Sequence, residues 1–135
     1  MRFRWQTSFI TFLLALIAFP ALAQTSGSSE CELDGNQPEL NECANFRFAK
    51  TDTEMNRLYQ AQISHLSGGS KGRLRASQRA WLTYRDKACL YETRPREESG
   101  SIWPMQDSLC REYLTKQRIE VLKTYVECRQ NGCPE

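Results

Sequence analysis

The sequence predicts an all-α fold: three amphipathic helices in a hairpin or bundle, stapled by disulfides. Three observations point there. Apolar residues recur at steps of three, four or seven along three long stretches, the spacing of one helix face. β-Branched residues are scattered, with no period-two run that would read as a strand. Six cysteines follow an N-terminal segment built like a secretory signal, and an even cysteine count in that context implies disulfides.

The signal divides into the usual parts. Arg2 and Arg4 form a positive start, Phe9 to Phe19 is apolar apart from Thr11, and Pro20 breaks the run. Ala21-Leu22-Ala23 supplies the small residues a signal peptidase needs, so residues 1–23 are expected to be removed before Gln24. The apolar run is shorter than the ~20 residues of a permanent span, so no stable membrane insertion is expected. Cys31 lies well past the cleavage point, which argues against a lipid anchor. The destination is the periplasm or the extracellular space. Residues 24–30 are rich in Ser, Thr and Gly and read as a flexible lead-in. Residues 31–135 form a single domain, a size at which staples help a modest core.

The first helix is expected from about Pro38 to Leu66, with Leu40, Ala44, Phe48, Met55, Tyr59, Ile63 and Leu66 in its apolar stripe. Ser67-Gly68-Gly69 should stop it, and Ser70 reads as the N-cap of the next. That second helix runs from about Lys71 to Glu92. Leu74, Trp81, Tyr84, Ala88 and Tyr91 share one broad face, of which Trp81, Tyr84 and Ala88 are expected to point inward. Pro95 lies just past its end. A loop, 94–104, holds Pro95, Gly100 and Pro104. The third helix is expected from about Met105 to Arg129. Leu109, Tyr113, Val121 and Tyr125 form one row, and Cys110, Leu114, Leu122 and Val126 the next.

Helix ends constrain the cysteines. An antiparallel hairpin brings Cys89 and Cys110 together, closing a loop whose constraint is worth about 3 kcal/mol. Cys31 and Cys43 could pin the N-terminal segment, and Cys128 and Cys133 the C-terminal end. No CxxC or CxH spacing occurs and the chain has one histidine, so no metal or other cofactor is expected.

Charge excludes some partners. Arg2 and Arg4 leave with the signal, which reduces the 18 basic and 16 acidic residues to equal numbers. A neutral domain has no long-range pull on nucleic acid or an anionic membrane. Along the chain the charges are uneven: residues 30–54 are mostly acidic and residues 71–96 mostly basic. These segments are expected to face each other or water.

Catalysis is not expected. His65 is the one histidine available to a Ser-His-Asp site, and it sits at a helix end beside a Gly-rich stretch. No spacing singles out an acid and a base for glycoside hydrolysis. Gly68-Gly69-Ser70-Lys71-Gly72 lacks phosphate-loop spacing. Oxidised cysteines leave no thiol nucleophile.

Residues 78–89, Gln-Arg-Ala-Trp-Leu-Thr-Tyr-Arg-Asp-Lys-Ala-Cys, resemble the QRAWxxYRDxxC signature of the LprI-like lysozyme-inhibitor family of small exported bacterial proteins. Glu39 to Ala44 resembles that family's ExNxCA start, and Asp52 with Glu54 to Tyr59 its AD-x-x-LNxxY segment. Gly100-Ser101-Ile102 resembles its GGSI, followed by Cys110, and Thr115 with Arg118 fits the TxxR of the last helix. Thr51, Met55 and Ser99 depart from the usual Ala, Leu and Gly, and Cys128 and Cys133 lie outside the shared core. The resemblance implies an all-helical fold and an exported, non-enzymatic protein that blocks a peptidoglycan-degrading glycosidase, with lysozyme as partner. The alternative is a periplasmic or envelope binding protein with another protein or peptidoglycan as partner.

Within the signature, Trp81, Tyr84, Arg85, Asp86 and Arg118 are expected to be structural, with Asp86 and Asp52 as carboxylate partners for the two arginines. The binding residues are expected on the 94–104 loop: Arg96, Glu97, Ser99, Ser101 and Trp103. A tethered loop enters a cleft at low entropic cost.

Overall fold

A computed structural model of the chain describes Cys31 and residues 33–130, so the signal, the lead-in and Cys133 lie outside the described residues. The all-α class holds: no strand occurs among them. Helix α1 (Gln37–His65) begins with a reciprocal cap. The Glu39 N–H donates to the Asn36 side chain at 3.2 Å, and the Asn36 N–H donates to the Glu39 carboxylate at 3.0 Å. Two donors that the first turn would leave orphaned are thereby satisfied. Pro38 stands in that same turn, where a missing N–H costs nothing.

Helix α2 (Gly68–Thr93) starts directly after Leu66 and Ser67. The expected stop is therefore mostly a start. Gly68, at φ +50°, opens α2 and takes a turn that a side chain would resist, which lets the chain reverse in very few residues. Ser70 is not the cap. Ser67 holds that position without a side-chain bond, while the Ser70 hydroxyl accepts from Arg73 Nη2 at 2.7 Å.

Beyond α2 the expected loop is itself helical. Helix α3 (Arg96–Ser99), a 3-10 turn (Gly100–Ile102) and α4 (Trp103–Glu127) follow in close succession. α4 begins before Met105 because Pro104 fits its first turn. Contacts fix the arrangement. Met55 meets Gln78 and Asp52 meets Arg85, so α2 runs antiparallel to α1. Arg47 meets Glu112 and Gln62 meets Arg129, so α4 returns parallel to α1. The Cys31–Cys43 and Cys89–Cys110 disulfides are both formed, and Cys128 is also disulfide-bonded.

Met55, Leu58, Ile119 and Leu122 form the apolar core, with Tyr59, Trp81, Leu82 and Val126 packed against it. Each such side chain contributes about 1.5–3 kcal/mol by leaving water. One expectation about facing fails. Tyr84 is 60% exposed and does not point inward, and Tyr91, on the same expected face, is 87% exposed. On α4, Tyr113, Val121 and Tyr125 are exposed, while Leu114 and Leu122 are buried. Beside further buried apolar residues such as Ala44, Ile63 and Leu74, many inward positions are polar: Gln78 and Arg85 on α2, and Ser108, Glu112, Thr115 and Arg118 on α4. A hydrophobicity pattern cannot find an interior of that composition.

Candidate functional site

The bundle interior carries a chain of charges on the disulfide side of the apolar core. Arg85 is buried. Its Nη1 donates to Asp52 at 2.8 Å and to the Thr115 hydroxyl at 3.3 Å, and its Nε to Asp86 at 3.2 Å. Its guanidinium also lies 5.3 Å from the ring centres of both Phe48 and Trp81. Asp86 in turn accepts from Arg111 at 2.6 Å, and Arg111 donates to Asp107 at 2.7 Å. One buried cation thus links all three long helices. Charge-assisted bonds of this kind set helix register as well as contributing energy.

Arg118 differs from the expectation. Arg85 takes Asp52 and Asp86, while Arg118 donates to the Gln78 carbonyl at 3.0 Å and lies 5.8 Å from the Trp81 ring. Its Nη2 has no hydrogen-bond partner among the described residues. Burial lowers its pKa, with the Tyr125 hydroxyl opposing.

The corner between α2 and α4 holds the expected binding residues. The chain enters it through Arg94, whose φ of +61° and ψ of 175° belong to a region that only glycine visits freely. Pro95 follows and ends the helix. Internal bonds brace the turn. The Ser99 hydroxyl donates to the Thr93 carbonyl at 2.7 Å, and the Trp103 indole N–H donates to the Arg94 carbonyl at 2.9 Å. Asn41 Nδ2 donates to the Ser101 carbonyl at 3.0 Å, tying the corner to α1. The Cys89–Cys110 bond closes its base. Ser99 and Trp103 are accordingly half-buried, their polar groups committed to the brace. Arg96, Glu97 and Ser101 are exposed, and the Arg96 guanidinium stands 5.8 Å over the Trp103 ring.

A groove away from the corner was not anticipated from the sequence. Between α1 and α4 lies an open groove of about 750 Å³ with Leu33, Phe46 and Ile119 among its lining residues. The buried Glu112 carboxylate faces it and is held by Arg47 at 3.2 Å and Lys116 at 2.6 Å. Its residues are scattered over two helices and the N-terminal segment, and no local motif marks them.

No group of His, Cys, Asp or Glu that could hold a metal occurs among the described residues. No helix among them is long and apolar enough to cross a membrane. With the helical frame and the buried Arg85 network in place, comparison with known proteins is decisive. The model of the lysozyme inhibitor LprI family matches residues 28–122. The chain belongs to the LprI family. Its Arg85 network and Cys89–Cys110 bridge both fall inside the matched region, whereas Cys128 falls outside it. An uncharacterized protein of Rhizobium meliloti (strain 1021) is 30% identical over 135 residues, which cover 88% of this chain and 94% of the relative. No solved structure matches the chain.

Proposed function

We propose that this LprI-family chain is an exported lysozyme inhibitor that works by binding, with the 94–104 corner entering the polysaccharide cleft of the enzyme. The observation that carries this reading is the bracing of the corner. A segment already held by a disulfide, the Ser99 and Trp103 side-chain bonds and the Asn41 contact loses little conformational freedom when it docks. Lysozyme clefts work with two carboxylates. Arg96 offers them a cation restrained by the Trp103 ring, and Glu97 and Ser101 offer polar contacts at the rim. Ser99 and Trp103 act by holding the shape. The working form would be the oxidised, signal-free protein in the periplasm or outside the cell.

The test is a turbidity assay on a peptidoglycan suspension, with oxidised protein 24–135 titrated into lysozymes of the c, g and i types. Stoichiometric inhibition of at least one type is expected. Arg96→Glu, Glu97→Lys and Ser101→Arg together should weaken it by about 100-fold or more, the scale of a hot-spot loss. Inhibition that survives these changes would move the contact off the corner. Failure to inhibit any type would remove the inhibitor reading itself.

A further inference from the structure

Helix α2 differs from its neighbours in how its charges are spent. On α1 and α4, Arg47, Arg57, Arg111, Lys116 and Lys123 all hold a carboxylate. On α2 only the buried Arg85 does, through Asp52 and Asp86. Arg73, Arg75, Arg79 and Lys87 are exposed and have no ion pair among the described residues. The acidic and basic segments of the chain therefore meet through the Asp52–Arg85 pair, and the remaining α2 cations face water.

The same face carries the exposed tyrosines. Arg73, Ala80, Tyr84, Lys87 and Tyr91 follow one another by steps of seven, four, three and four, so they form one row along the helix. Tyr84 and Tyr91 are 60% and 87% exposed, and Leu90 beside them is 50% exposed. Tyrosines left in water on the chain's surface, interleaved with cations, have the composition of a recognition surface.

We propose that the outer face of α2 is a second binding surface, separate from the 94–104 corner, whose ligand is an acidic glycan such as carboxylate-bearing peptidoglycan. The tyrosine rings are rigid flat platforms that cost little entropy to place against the apolar faces of sugar rings. Tyr84 and Tyr91 lie seven residues apart, about 10 Å along the helix, comparable to a disaccharide. Arg73 and Lys87, the cations of that row, supply the charge that selects carboxylate-bearing sugars over neutral ones. A neutral domain with one local cationic face binds a polyanion at contact range without long-range attraction. The arrangement would hold the protein on the polymer, and it stands whether or not the corner inhibits a lysozyme.

Sedimentation with insoluble peptidoglycan tests this, using oxidised 24–135 and a parallel chitin control. The wild-type protein should pellet with peptidoglycan, stay in solution with chitin, and be released by salt near ~0.5 M. Tyr84→Ala with Tyr91→Ala, or Arg73→Glu with Lys87→Glu, should each reduce pelleting by about ten-fold or more. Both pairs lie on the exposed face, so thermal melts should match wild type. Inhibition of lysozyme on a small soluble substrate should be unchanged. Three results would overturn the proposal: equal retention on chitin, unchanged pelleting of the variants, or loss of lysozyme inhibition in place of glycan binding. Retention on anionic vesicles but not on peptidoglycan would assign the face to a lipid surface and would equally overturn it.

Discussion

Arg85 and Arg118 are both buried in one bundle, and the protein treats them differently. Around Arg85 the helices supply two carboxylates, a threonine hydroxyl and two aromatic faces. Around Arg118 they supply one amide carbonyl, the Tyr125 hydroxyl and one face of Trp81, and one terminal nitrogen has no bond among the described residues. The first site is a junction: remove the cation and Asp52 loses its ion pair, while Asp86 is left to Arg111 alone. The second is a tolerated guest, whose burial lowers its pKa. A buried charge stabilises a fold only where its partners complete it.

Substitutions can break or sharpen that contrast. Arg85→Met should cost the most, about 3–5 kcal/mol, because it removes the buried cation that joins the three long helices and leaves Asp52 without a cation, while Asp86 keeps Arg111. Urea unfolding reads this directly, and a loss under about 1 kcal/mol would dissolve the distinction between the two sites. Replacing Cys89 and Cys110 together by Ala should cost about 3 kcal/mol through the denatured state. The same pair should weaken inhibition more than it weakens the core, because the disulfide closes the base of the corner. Arg94→Gly should raise stability by about 1 kcal/mol, by relieving a backbone conformation unsuited to a side chain. A lower melting temperature would mean that the Arg94 side chain contributes more than the strain costs. Arg118→Met should be the mildest, within about 1 kcal/mol of wild type and on the stabilising side, since it replaces an incompletely bonded charge with an apolar chain of similar volume.

The three long helices were legible because their periodicity is long and their ends carry strong punctuation. Asn36 with Glu39, Pro38 in the first turn and Pro95 past the end of α2 all act through local backbone chemistry. The same locality explains the errors. Gly68-Gly69 reads as a stop or a start with equal ease, and only the direction of the next helix chooses. Tyr84 reads as core because it lies three residues from Trp81, yet Trp81 points toward Arg118 while Tyr84 faces water. The braced corner was visible as a position but not as a shape. The Ser99 and Trp103 bonds end on backbone carbonyls of Thr93 and Arg94, and no side-chain pattern announces such acceptors.

The sequence by itself determined the class of fold, the three long helix-bearing segments and the family, because each is written in local spacing and short motifs. The tertiary structure decided which helix faces are inside, which arginine finds carboxylates and where the unpaired cations of α2 point. Those outcomes depend on partners dozens of residues away: Asp52 for Arg85, Gln78 for Arg118 and Asn41 for Ser101. A polar side chain is equally at home in water or in a completed network, so its own identity does not say which it will meet.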